Sequence, residues 1–105
     1  MSQGFKVAAA LLLAASLAAP ALAEDTAALY KAKCAMCHGA DGLAATPVGK
    51  TMKVLSFKAP AMVSATDAQF IASTKNGKGK MPAYKEKLTD AQIKDVVAYI
   101  RTLQR

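Results

Sequence analysis

Apolar residues are arranged along this chain in two ways, and each predicts a different kind of element. From Val7 to Ala19 they form an almost unbroken run, whereas beyond residue 24 they are spaced. Ile93, Val96, Val97, Ile100 and Leu103 recur at three- and four-residue intervals, which places them on one face of a helix. Thr89-Asp90-Ala91-Gln92 just ahead of them has the capping-box pattern, and Arg101 and Arg105 fall where the negative end of a helix dipole favours cations. Thr66-Asp67-Ala68-Gln69 repeats the start signal before Phe70 and Ile71, and Asn76-Gly77 supplies a stop. An earlier helix is predicted from about Asp25 to His38, capped by Asp25 or Thr26, because Thr26 to Lys33 contains good helix formers and neither proline nor glycine. From Gly39 to about Pro60, glycines and prolines interrupt every periodicity, so a loop is predicted. A loop of that length is unusual in a small domain unless it wraps a ligand. No segment alternates as a strand would, and the expected class is all-α with three to four helices.

The unbroken run belongs to a different story. Met1 to Ala23 carries one early positive charge, Lys6, then the apolar stretch, then Pro20-Ala21-Leu22-Ala23, a small-x-small site. This is the anatomy of a secretory signal peptide cleaved after Ala23. A membrane anchor would need roughly 20 apolar residues, and here Glu24 and Asp25 follow a shorter core at once. The expected organisation is a signal peptide over residues 1–23 and one domain over residues 24–105, exported to the periplasm with no lasting anchor.

A domain of 82 residues has a marginal core and usually needs a staple. The chain has two cysteines, Cys34 and Cys37. A disulfide between them would close a very small loop and constrain the unfolded chain little. Cys34-Ala35-Met36-Cys37-His38 instead has the spacing of haem attachment. Two thiols three residues apart can add to the two vinyl groups at one porphyrin edge, while the next residue turns an imidazole to the iron. A redox-active dithiol would call for a βαβ context, and a zinc site would need further ligands. No other cysteine or histidine exists to supply them.

With His38 the only histidine, the sixth iron position falls to methionine, to lysine, or stays vacant. Met1 leaves with the signal, and Met36 lies between the cysteines. Of the remaining three, Met81 follows Asn76-Gly77-Lys78-Gly79-Lys80 and precedes Pro82, a polar, glycine-punctuated loop unsuited to burying an apolar side chain. Met81 is therefore the expected distal ligand, and Met52 and Met62 are read as core filling. An open sixth site, as in a haem sensor or a peroxidase-like protein, is the competing expectation.

The mature chain resembles the class I c-type cytochromes, in particular the small bacterial monohaem and cytochrome c6-like proteins. The resemblance rests on the attachment motif, on Leu29-Tyr30 ahead of it, on Gly77-Lys78-Gly79-Lys80-Met81-Pro82, and on Leu88-Thr89 leading to Val96-Val97-Ala98-Tyr99-Ile100. It implies a cytochrome c fold wrapped around one covalent haem c, with the first and last helices crossing at Tyr30, Val96 and Tyr99. It also implies that the Pro47 carbonyl accepts a hydrogen bond from the proximal imidazole. The implied activity is single-electron transfer between redox partners by a monomer that is not an enzyme.

Charge adds the nature of the partner. Without Lys6, thirteen basic against seven acidic residues leave +6. Scattered lysines and only two arginines, both at the carboxyl end, argue against nucleic acid. Lys75, Lys78, Lys80, Lys85 and Lys87 gather around Met81, as either a solvated face or a docking ring for an acidic redox protein.

Overall fold

The computed structural model describes the backbone of residues 19–105 and side chains from Asp25 onward. Residues 1–18, most of the expected signal peptide, lie outside the described residues. The helices are α1 (Ala19–Lys33), α2 (Ala35–His38), α3 (Pro47–Thr51), α4 (Pro60–Val63), α5 (Asp67–Asn76) and α6 (Asp90–Leu103). Among the described residues the only β pairing is an isolated bridge between Lys78 and Met81.

The two capping boxes form as expected. Thr66 Oγ1 accepts from the Gln69 N–H at 3.1 Å while Gln69 Oε1 accepts from the Thr66 N–H at 2.8 Å, and Thr89 and Gln92 repeat the pair at the same distances. The first helix differs. It is already helical at Ala19, the first described residue, so Asp25 and Thr26 are interior positions and not caps, and it breaks at Cys34. Helix formers already present ahead of Asp25 carry the helix through it. The break follows from a change of partner. The Cys37 N–H turns to the Cys34 carbonyl at 3.3 Å, so the ladder does not run on through Lys33. The expected loop from Gly39 to Pro60 is also more structured, because Pro47 and Pro60 each open a one-turn helix.

The core lies where α1, α6 and the Phe57–Phe70 segment meet. Tyr30, Val96, Val97, Ile100, Phe57 and Phe70 form one buried cluster. Each large apolar side chain removed from water in this way contributes about 1.5–3 kcal/mol. The Tyr30 and Tyr99 rings meet at 5.1 Å across the α1–α6 crossing, and the Tyr30 hydroxyl donates to the Gly39 carbonyl at 2.7 Å. The carboxyl end of α6 fastens the segment opposite. Arg101 Nε donates to Asp67 Oδ1 at 2.9 Å, another guanidinium nitrogen donates to the Ala65 carbonyl at 2.6 Å, and the guanidinium lies 4.5 Å from the centre of the Phe70 ring. Gln104 Nε2 donates to the Phe57 carbonyl at 2.9 Å.

Candidate haem site

The helix break puts three reactive side chains on a single turn. Cys34 is the residue before α2, and Cys37 and His38 close it. All three are half-buried, and both thiols are free. Burial, and then the neighbouring Cys37, push the Cys34 thiol up to about 11. Burial alone lowers the pKa of His38, which favours the neutral imidazole that binds metal. Among the described residues there is no group of three or more His, Cys, Asp or Glu side chains able to hold a metal ion, so the zinc reading finds no ligand set.

The surroundings press this turn into place. The Thr46 hydroxyl donates to the Met36 carbonyl at 2.7 Å and accepts from the Gly49 N–H at 2.9 Å, tying α3 to α2. Gly49 is buried there, and a Cβ would come within 2.7 Å of the Ala44 carbonyl oxygen and closer still to that of Cys37. Any side chain would therefore drive α3 away from the attachment turn. On its other side the His38 imidazole stacks on Phe57.

The expected bond from the imidazole to the Pro47 carbonyl does not form. His38 Nδ1 is buried and finds no hydrogen-bond partner. Pro47 is the first residue of α3, behind the Thr46 cap, and that cap reaches the Met36 carbonyl instead. The two free thiols and the half-buried imidazole, whose pKa burial lowers, fit a haem held at this turn.

The four methionines with described side chains are sorted by burial. Met36 points to solvent with 73% of its surface exposed, and Met52 at the end of α3 is 42% exposed, so it does not fill the core as expected: the short α3 carries it to the surface. Met62 is half-buried against the core cluster, which agrees with core filling. Met81 is half-buried but outside the core. It is set in a closed turn in which the Lys78 N–H donates to the Met81 carbonyl at 3.0 Å and the Met81 N–H to the Lys78 carbonyl at 2.9 Å. Gly77 ends α5 at φ 81°, a left-handed conformation that a side chain would strain, and its own Cβ would crowd the Met81 carbonyl at 2.9 Å.

Four positioning residues escaped sequence reasoning: Thr46, Phe57, Tyr84 and Gln104. Only Thr46 had a local signal, a cap residue directly before proline. Tyr84 senses the site electrostatically, since burial first and then Cys34 and Cys37 raise its pKa. Of the lysines around Met81, Lys75 is ion-paired with Asp90 at 3.2 Å and Lys87 lies 5.4 Å from the centre of the Tyr84 ring, while Lys78, Lys80 and Lys85 are exposed. No helix among the described residues is long and apolar enough to cross a membrane.

Comparison with known proteins shows the family. The family model described as cytochrome c oxidase, cbb3-type, subunit III matches residues 21–100. Cytochrome c6 from Nostoc sp. is 40% identical over 88 residues, covering 81% of this chain and 77% of the relative. Cytochrome c6 from Synechocystis sp. is 38% identical over 88 residues, covering 81% of this chain and 71% of the relative. Among solved structures, the KustC0563 c-type cytochrome superposes with a TM-score of 0.70 at 28% identity, covering 76% of this chain and 98% of that one. The attachment turn, the helical fold and these likenesses lead to one family: the chain belongs to the class I c-type cytochromes, electron carriers rather than enzymes, with one covalently bound haem c.

Proposed function

We infer that this chain is an exported, periplasmic electron carrier whose haem is bonded to Cys34 and Cys37 and held axially by His38 and Met81. The observation that carries the reading is the single turn bearing two free thiols and a half-buried, neutral imidazole. When bound, the haem supplies a one-electron ferric–ferrous couple, which a His/Met pair biases toward comparatively high potential. The chain's own residues do the rest. Cys34 and Cys37 fix one porphyrin edge to α2, and Phe57 holds the imidazole face. The loop from Gly77 to Pro82 would present Met81 from the other side of the sequence, and Met62 is half-buried against the core cluster. With His38 and Met81 both holding the iron, no position would be left for a substrate. Lys78, Lys80 and Lys85 would then meet an acidic redox partner, with Lys87 beside them.

The test is an optical comparison of the haem-loaded protein with a Met81→Ala variant. The parent should show the methionine-to-ferric charge-transfer band and bind carbon monoxide poorly when reduced. The variant should lose the band and bind carbon monoxide readily. Persistence of the band in the variant would move the ligand to Met62 or Met52, and ready carbon monoxide binding by the parent would favour an open-site sensor.

A further inference from the structure

The loop that carries Met81 is joined to the segment that carries the cysteines by one side chain. The Tyr84 hydroxyl donates to the Lys33 carbonyl at 3.0 Å, spanning 51 residues of sequence. Lys33 is the last residue of α1 and directly precedes Cys34. Its carbonyl is available because the Cys37 N–H turns to Cys34 where the helix breaks. The phenol thus occupies an acceptor that the attachment turn itself sets free.

Tyr84 is also anchored at its backbone. Its N–H donates to the Thr74 carbonyl on α5 at 2.9 Å, and its carbonyl accepts the N–H groups of Lys87 and Leu88, each at 2.9 Å. The residue therefore cannot follow the phenol away from the loop, so its position is transmitted along three residues to Met81. On the other flank the loop is held by Gly77 and by the two bonds between Lys78 and Met81. Between Met81 and Tyr84 there are only Pro82 and Ala83, both exposed. The phenolic bond is the only side-chain hydrogen bond among the described residues that links the 77–84 loop to the α1–α2 segment.

From this geometry we propose that Tyr84 is a positioning residue for the distal ligand: its bond to the Lys33 carbonyl clasps the Met81 loop to the attachment segment and sets how readily Met81 leaves the iron. The proposal rests on the assignment of Met81 as that ligand. A clasp of this kind acts on the exchange of Met81 for an outside ligand more than on the fold as a whole. One neutral hydrogen bond lost from the closed loop alters the open-to-closed ratio by about 2- to 12-fold.

The experiment compares the haem-loaded parent with Tyr84→Phe, which removes one hydroxyl and keeps the ring. Imidazole is titrated into the ferric proteins, and displacement of methionine is followed by loss of its charge-transfer band. Tyr84→Phe should require about 2- to 12-fold less imidazole and should exchange faster. Thr89→Ala, which removes the cap of α6 and lowers global stability, serves as the comparison and should leave imidazole affinity unchanged. If Tyr84→Phe matches the parent, the clasp is overturned while the Met81 assignment stands. Equal gains in Tyr84→Phe and Thr89→Ala would also overturn it, since general loosening would then account for both. If the parent itself lacks the band, the assignment and the clasp fall together.

Discussion

His38 and Phe57 lie face to face, with ring centroids 4.6 Å apart and planes 15° from parallel. The stack matters because His38 Nδ1 has no hydrogen bond to orient the ring. Phe57 can do so because it is itself held twice. Its N–H donates to the Gly42 carbonyl at 2.9 Å, and its carbonyl accepts from Gln104. The ring is 4% exposed and meets Phe70 edge-on at 6.1 Å.

Phe57→Ala should therefore cost stability and site order together. A buried phenylalanine replaced by alanine costs about 3–5 kcal/mol, and denaturant unfolding of the haem-loaded protein measures it. Haem incorporation per exported chain should fall in the same variant. A loss below about 1 kcal/mol would mean that the wall behind His38 closes without this ring.

Tyr30 gives a prediction with a pH sign. Its hydroxyl donates to the Gly39 carbonyl inside the core, and its pKa is raised chiefly by burial, with Cys34, Tyr99 and Asp41 adding to it. A phenol kept neutral in the fold contributes stability that is fully present below its unfolded pKa of about 10 and is lost as pH rises toward the higher folded value. At pH 8, Tyr30→Phe should be less stable than the parent by about 0.5–1.5 kcal/mol. Above pH 10 the parent should lose stability more steeply, so the gap narrows. Parallel unfolding curves at several pH values check this, and a gap that widens with pH would contradict it.

The basic surface around Met81 predicts a salt-dependent encounter. Lys80→Glu together with Lys87→Glu should lower the association rate with an acidic redox partner by about tenfold at low ionic strength. The difference should fade as salt shortens the screening length from about 10 Å at 0.1 M to about 3 Å at 1 M. Lys94→Glu, half as large a change of charge and placed on α6, should have much less than half the effect. Stopped-flow electron transfer measures all three, and slowing by Lys94→Glu in proportion to its charge would reduce the effect to net charge.

What could be read from the sequence was what adjacent residues decide among themselves. Thr66 with Gln69 and Thr89 with Gln92 announce their helices because cap and partner lie three residues apart, and Cys34, Cys37 and His38 announce their chemistry in the same way. The apolar stripe from Ile93 to Ile100 was legible for a similar reason, since one helix face is a local property. What stayed hidden depends on residues brought together by the fold. The break at Cys34 replaces one backbone bond by another, and no glycine or proline marks it. Phe57 reaches His38 across 18 intervening positions, and Tyr84 reaches Lys33 across the whole middle of the chain. The Pro47 expectation failed for a related reason: Thr46 and Pro47 together make a helix start, and that local preference turned the segment to a different use.

The fasteners of the Phe57–Phe70 segment lie at the far end of the chain. Arg101 and Gln104 hold the Ala65 and Phe57 carbonyls across 36 and 47 positions of sequence. The backing of the imidazole is thus closed by residues that never touch it, and loosening that last helical turn would unsettle His38 from a distance.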